Sequence, residues 1–396
     1  MRDEMKKAPR LRFRGFQEDW ELCKLGDLLN EVKRPVKIED HKEYQLVTVK
    51  RRNGGVVSRG NFKGKNILVK NYFVLKKNDY LISKRQVVHG ANGIVPENMD
   101  GAVVSNEYLV SVGNESIKTD YLTIISQLPQ MYKLFFLSSY GIDIEKLVFN
   151  VEDWKKRTML VPNIDEQVKI ASFFKIIDDT ITLHQRKLEQ LKELKKAYLQ
   201  LMFPKKDETV PRVRFADFED DWQLCKLGAT FSIIMGQSPN SENYTENPDD
   251  YILVQGNSDM KNNKVVPRIW TTQVTKKAEK GDLILSVRAP VGEIGKTDYN
   301  VVLGRGVAAV KGNDFIFQQL RKMKDSGYWT RYSTGSTFES INSNDIKEAL
   351  INIPNKDEQQ KIGDLFTHLD DAIILNQNKL NQLKSLKKSY LQNMFI

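Results

Sequence analysis

The chain has 396 residues, 40% of them apolar, and its 61 lysines and arginines outnumber 51 acidic residues to give a formal net charge of +10. This length allows two or three domains with real cores, and the cationic excess favours a polyanionic partner without specifying one. Two cysteines, Cys23 and Cys225, exclude a disulfide framework and a zinc ligand set. The stretch MRDEMKKAPR lacks an apolar signal core, and no run approaches the ~18 residues that cross a bilayer, so a soluble, cytoplasmic chain with no membrane contact is expected.

From the N-terminus, the first landmark is PRLRFRGFQEDWELCKLG (Pro9 to Gly26). It returns as PRVRFADFEDDWQLCKLG (Pro211 to Gly228), with 12 of 18 positions identical. Self-similarity at half a chain length marks a tandem repeat. Trp20 and Trp222 read as core anchors. Cys23 and Cys225, between apolar neighbours in an expected strand, read as packed thiols rather than nucleophiles. The segments that follow, 27–160 and 229–352, differ by ten residues in length and in nearly all of their sequence. Both hold short β-rich runs broken by Gly, Asn and Asp, at 66–85 and 278–295. They share one echo, NDYLISKR (Asn78 to Arg85) against GDLILSVR (Gly281 to Arg288). Each reads as a mixed α/β domain, built alike and diverged in its surface.

A second repeated block closes each half. Residues 161–204 align without gaps on 353–396, and 26 of 44 positions agree. Asn163 with Glu166, and Asn355 with Glu358, form capping boxes that start helices. Apolar residues then follow steps of four and three: Ile170, Phe174, Ile177, Ile181, Leu188, Leu191, Tyr198 and Met202. The second copy repeats them as Ile362, Phe366, Leu369, Ile373, Leu380, Leu383, Tyr390 and Met394. This is a heptad seam, interrupted in both copies at His184/Asn376 and Lys195/Lys387. About 38 helical residues make a rod of about 57 Å. A rod with one apolar stripe must bury it. Either the two copies pack antiparallel as a coiled-coil spacer with pseudo-two-fold symmetry, or each helix docks on its own domain. The paired rod is the reading favoured here, because both seams break at matched positions. The fold class is then α+β, with domains at 1–160 and 211–352 and spacer helices at 161–204 and 353–396.

The two helix blocks carry 7 cations against 6 anions and 6 against 5, which leaves eight of the ten net charges elsewhere. Basic clusters stand at VKRRNGG (Val49 to Gly55), SKRQVVHG (Ser83 to Gly90), WKKRTM (Trp154 to Met159) and LRKMK (Leu320 to Lys324). Any one of them is more simply a solvated face. Loops that mix Arg, Gln, His, Asn and Gly nevertheless suit base edges, since Arg and Lys pair with guanine and Gln and Asn with adenine. The candidates are Lys50, Arg51, Arg52, Lys84, Arg85, Gln86 and His89 in the first insert. In the second they are Gln237, Ser238, Asn240, Arg288, Arg305, Ser336 and Thr337.

Catalytic signatures are missing from the sequence. There is no phosphate-binding G-x-x-x-x-G-K-[ST] loop, and GRGVAA (Gly304 to Ala309) lacks the final glycine of a dinucleotide turn. NPDD (Asn247 to Asp250) lacks the aromatic that follows Asn-Pro-Pro in amino-methylating enzymes. The histidines His41, His89, His184 and His368 have no metal or triad spacing.

The W-x-L-C-K-L-G segments (Trp20 to Gly26, Trp222 to Gly228), the GDLILSVR region, the P-N-x-D-E-Q-x-K-I helix starts (Pro162 to Ile170, Pro354 to Ile362) and the leucine-rich helices together resemble the specificity (S) subunit of Type I restriction-modification systems. The likeness covers nearly the whole chain, although NDYLISKRQVVHGANG (Asn78 to Gly93) replaces a cleaner Gly-Asp strand in the first insert. The resemblance implies two target recognition domains held apart by the helical spacer, each reading half of a bipartite site in double-stranded DNA. It also implies a non-catalytic chain without a bound cofactor of its own. S-adenosylmethionine, ATP and Mg would lie on partners, namely two methyltransferase (M) subunits and motor-nuclease (R) subunits. The rival readings are a methyltransferase fused to recognition domains and a coiled-coil adaptor with no DNA role.

Overall fold

The computed structural model describes residues 8–205, 207–332 and 340–395. The chain forms two compact units, one of residues 1–183 with 381–396 and the other of residues 184–380. Each unit thus contains part of a central helix, Ile164–Leu201, and part of a C-terminal helix, Lys356–Asn393. Among the described residues, no helix is long and apolar enough to cross a membrane.

The repeated segments build one frame twice. In the first unit strand Glu21–Lys24 pairs antiparallel with Thr158–Val161, and in the second Gln223–Lys226 pairs with Leu350–Ile353. These pairings put Thr158–Val161 and Leu350–Ile353 in strands, so the long helices start at Ile164 and Lys356 rather than at the first repeated residue. Gly26 and Gly228 follow the strands because a Cβ there would lie 2.9 Å from Lys155 Cβ and 2.7 Å from Lys347 Cβ. Trp20 and Trp222 are buried, as their place in the repeat suggests. Trp20 meets Phe395 edge-on, and Trp222 meets Phe203 in the same way.

The helix starts differ from simple capping boxes. The Glu166 and Glu358 amides donate to the Asn163 and Asn355 side chains at 2.9 Å, as expected. Their carboxylates do not turn back to complete the box. Arg12 takes both oxygens of Glu166 at 2.7 and 2.8 Å, and Arg214 takes both oxygens of Glu358 at the same distances. The carboxylate in turn raises each arginine's pKa. The neighbouring Gln167 and Gln359 donate to the Pro162 and Pro354 carbonyls at 2.8 and 2.9 Å. The repeated P-R-x-R and P-N-x-D-E-Q motifs are therefore two halves of one buried clamp.

The seam residues pack as the heptad pattern indicates, and in antiparallel order within each unit. In the first unit Ile170 and Phe174 share a core with Met394 and Phe395, with Tyr390 packed against it. In the second, Leu199, Met202 and Phe203 share one with Ile362, Phe366 and Leu369. Ile177, Leu188 and Leu380 are buried, and Ile181, Leu191, Tyr198, Ile373 and Leu383 are half-buried. Burying one such side chain fully contributes about 1.5–3 kcal/mol. The matched interruptions are polar pairs rather than gaps. His184 Nδ1 lies 3.2 Å from Asn376 Oδ1, Lys195 holds Asp370 at 2.5 Å, and Lys387 holds Asp178 at 2.7 Å. A polar residue in a helix seam costs stability and specifies register.

The inserts, unlike in sequence, share one topology. The first has an antiparallel sheet in the order Leu29–Glu31, Tyr108–Gly113, Tyr80–Ser83, Asn92–Ile94. The second has Ile233–Met235, Val307–Val310, Leu283–Ser286, Ile294–Lys296 in the corresponding places, plus a hairpin at 260–265. A mixed sheet follows the same rule. Asn71–Val74, Val103–Val104, Glu43–Val49 and Val56–Lys63 match Lys277–Ala278, Val301–Leu303, Tyr251–Val254 and Trp270–Thr271, each set with one parallel pair at its centre. The edges differ. Pro35–Lys37 joins the Asn71–Val74 side, whereas Tyr244–Thr245 joins the opposite edge at Trp270–Thr271. The NDY and GDL variants are also explained: Asn78 and Gly281 have φ of 68° and 97°, a left-handed turn that Asn tolerates and Gly prefers.

Candidate nucleic-acid interface

In the first unit the loop after Glu43–Val49 meets the loop after Tyr80–Ser83. Arg52 and Asn53 at the first loop's tip have φ of 58° and 55°. Their amides donate to the His89 and Gly90 carbonyls at 2.7 and 3.0 Å. Gly90 must be small there, because a Cβ would sit 2.9 Å from Asn53 Oδ1 and its φ is +75°. The result is a cleft of about 610 Å³ lined by Arg51, Arg52, Asn53, His89, Gln127, Tyr132 and Glu145, with apolar residues at its base. Arg51 donates from Nε to Gln86 at 2.6 Å and from Nη2 to Glu145 at 2.8 Å, and His89 lies 3.5 Å from the same carboxylate. Arg52 is exposed and carries no ion pair among the described residues.

The second unit places a cleft of about 500 Å³ between the equivalent loops, those after Tyr251–Val254 and Leu283–Ser286. Its polar lining is Ser238, Gln255, Asn257, Ser258, Ser286, Arg288 and Arg305, with no carboxylate among the described residues. Three backbones close tightly beneath it. A Cβ on Gly306 would fall 2.0 Å from the Gln255 carbonyl oxygen, and one on Gly236 would fall 2.0 Å from that of Gly304. The Arg305 amide donates to Ser238 Oγ at 3.0 Å, and Ser286 Oγ donates to the Arg288 carbonyl at 2.8 Å. The Gly304–Gly306 turn thus joins two strands instead of opening a helix, which removes the dinucleotide-loop reading. Arg288 and Arg305 are exposed and carry no ion pair among the described residues.

The sequence candidates separate accordingly. Arg51, Arg52 and His89 come together, with Gln86 bracing Arg51. Ser238, Arg288 and Arg305 come together in the other cleft. Lys50 lies outside the first cleft; Lys84 donates to the Asn106 carbonyl at 2.8 Å, and Arg85 pairs with Glu107 at 3.0 Å. Gln237 and Asn240 sit on the Ser238 loop beside the second cleft, fastened by backbone bonds to Leu303 and to the Gln273 side chain. Ser336 and Thr337 lie outside the described residues. Two of the basic clusters are partly ion-paired. Lys155 and Arg157 pair with Glu152, Glu31 and Asp153, and Arg321 and Lys324 pair with Asp370 and Glu293. Gln127, Glu145, Gln255 and Asn257 went unnoticed in the sequence; only QGNS (Gln255 to Ser258), a polar run closing an apolar strand, offered a local signal. Among the described residues, no group of three His, Cys, Asp or Glu is arranged to hold a metal.

The family described as Type I restriction modification DNA specificity domain matches the chain twice, at residues 17–193 and 219–385. A putative type I restriction enzyme MjaX specificity subunit of Methanocaldococcus jannaschii is 27% identical over 242 residues, covering 58% of this chain and 56% of the relative. The chain thus matches just over half the length of that relative. The MjaVIII specificity subunit of the same organism is 20% identical across 94% of this chain and 91% of its own length. Among solved structures, a Type I restriction-modification S subunit from M. genitalium superposes with a TM-score of 0.63 at 14% identity, covering 98% of this chain and 99% of the other. A chain from a study of complex assembly and conformational transition of the type I R-M system gives a TM-score of 0.52 at 21% identity, covering 95% and 97%. At these identities the structures speak for the fold.

Proposed function

The chain belongs to the Type I restriction modification DNA specificity domain family in two copies, and from that premise we propose that each unit reads one half of a bipartite site in double-stranded DNA through its cleft. The observation that carries this reading is the pair of clefts formed by equivalent loops of two like-ordered sheets, with unlike side chains. Arg288 and Arg305 would face guanine edges and Gln255 or Asn257 adenine edges, while other cations hold phosphates and set register. In the first unit Glu145 braces Arg51 and would itself accept from a cytosine amino group. The two half-sites should therefore differ.

The paired helix halves act, in this reading, as a spacer that sets the unread gap. The partly buried polar pairs at His184–Asn376, Lys195–Asp370 and Lys387–Asp178 support it, because they fix one register of pairing. Partner subunits supply S-adenosylmethionine, ATP and Mg chemistry. Two methyltransferase copies and motor-nuclease subunits assemble on this chain, which directs them and performs no methyl transfer itself. To test the spacer, seven residues are inserted in each long helix, after His184 and after Asn376, adding about 10.5 Å at 1.5 Å per residue. Methylated-site mapping should then show both half-sites unchanged and a longer gap. Altered half-sites with an unchanged gap would sink the spacer.

A further inference from the structure

The reading clefts leave unused a second basic cleft, which lies within the 184–380 unit. It measures about 630 Å³ and is bounded by both long helices, the helix Asp314–Asp325 and the turn at Asn262 and Asn263. Five cations line it, Lys192, Lys195, Lys196, Arg321 and Lys322, against the carboxylates of Asp325 and Asp370. Compensation among them is incomplete. Asp370 is shared by Lys195 at 2.5 and 2.6 Å, Gln318 at 3.2 Å and Arg321 at 3.5 Å. Lys322 rests on the carbonyl oxygens of Phe203 and Pro204 at 3.3 and 3.0 Å, with the Glu208 carboxylate acting on it only beyond ion-pair distance. Lys192 and Lys196 are exposed at the rim and carry no ion pair among the described residues. Burial lowers both Lys195 and Lys322 to about 8, with Arg321 adding to the effect on Lys195. Lys195 keeps Asp370 as its partner, whereas Lys322 has no carboxylate within ion-pair distance among the described residues. Asn262 and Asn263, at φ of 51° and 65°, add amide groups to the wall.

The first unit does not reproduce this arrangement. Its matched Lys387 pairs with Asp178 at 2.7 Å and has Gln127 at 3.5 Å, with no arginine at that carboxylate. The cleft is thus a property of one unit rather than of the repeated frame. Several lysine point charges converging from different elements suit a compact oxyanion with several acceptor oxygens better than a planar carboxylate, which a guanidinium fork would match. We propose that this cleft binds a phosphate-bearing anion, held by Lys192, Lys196 and Lys322 with Arg321 and the Asn262–Asn263 turn. The phosphate is either a backbone phosphate of DNA or a free phosphate compound. The assignment does not rest on base reading, because neither reading cleft contains any of these residues.

The test compares the full chain with a Lys192→Ala/Lys196→Ala double variant, whose two exposed positions stand outside the packed core. One probe is inorganic pyrophosphate, read as a rise in Tm; the other is duplex DNA of arbitrary sequence, read as the slope of log K against log salt. A pyrophosphate-dependent rise that the double variant loses assigns the site to a free anion. A slope shallower by roughly 1–2 in the double variant, with no pyrophosphate effect on either protein, assigns it to backbone phosphates at about 0.9 per contact. Both results support the site. An unchanged slope together with no pyrophosphate effect overturns it, as does a double variant whose sole defect is weaker association with a protein partner.

Discussion

Arg12 clamps Glu166 in the first unit and Arg214 clamps Glu358 in the second, each at 2.7 Å, and the bonds to the Asn163 and Asn355 caps and to the Pro162 and Pro354 carbonyls recur above them. The clefts show no such agreement. One joins an arginine, a histidine and a glutamate in a braced group, while the other exposes two arginines without any acidic neighbour in its lining. The loops that carry these side chains nonetheless occupy equivalent places in two sheets of the same strand order. Backbone topology and buried clamps are thus held in common, and the chemistry presented to a partner is what varies. On the proposed reading, a frame of this kind would let one reader change without disturbing the other.

Several substitutions would break or sharpen that comparison. The largest effect should come from the anchors. Trp20→Ala and Trp222→Ala each remove a nearly fully buried ring and should cost about 3–5 kcal/mol in urea unfolding, by like amounts if the frames are equivalent. A cost confined to one of them would show that the likeness is only geometric.

A pH effect of about 3 kcal/mol should follow from Lys195, whose seam position is 5% exposed against 19% for Lys387. Its folded pKa of about 8 lies below the ordinary 10.5. Between those values the unfolded chain binds more protons, so this lysine adds stability as pH rises through that window. Lys195→Met should flatten the rise, measured as Tm between pH 7.5 and 10.5; an undiminished rise would contradict the burial argument.

Affinity changes should be smaller and confined to one side. Arg288→Ala or Arg305→Ala should cost about 1–3 kcal/mol of sequence discrimination in the half-site of the second unit. Arg52→Ala should act on the other half-site alone, with binding selections as the readout. The smallest effect belongs to Glu145→Ala. Because the pair it makes with Arg51 is half exposed, stability should change by under about 1 kcal/mol. Base preference in the first half-site should nevertheless shift, since Arg51 and His89 lose their brace.

What could be read from the sequence was what is local or periodic. The Phe174 and Phe366 seams, the Asn163 and Asn355 caps and the Trp20 and Trp222 anchors all declare themselves within a few residues. Pairing across long separations did not. Arg12 meets Glu166 across 154 residues, and this contact redirects a carboxylate that local rules assign to a capping box. The same limit shaped the clefts. Arg51 and Gln86 were visible as members of separate loops, but Glu145, 94 residues from Arg51, had no local mark. In two basic runs, around Lys155 and Lys322, some partners come from distant segments that no local pattern names, Glu31 for Lys155 and the Phe203 and Pro204 carbonyls for Lys322.

The most direct test of independent readers is a methylation map of cells carrying the complete system, before and after residues 229–352 are replaced by the corresponding insert of another family member. The account predicts a new second half-site, with the first half-site and the gap unchanged. Alteration of the first half-site, or retention of the original second one, would contradict it.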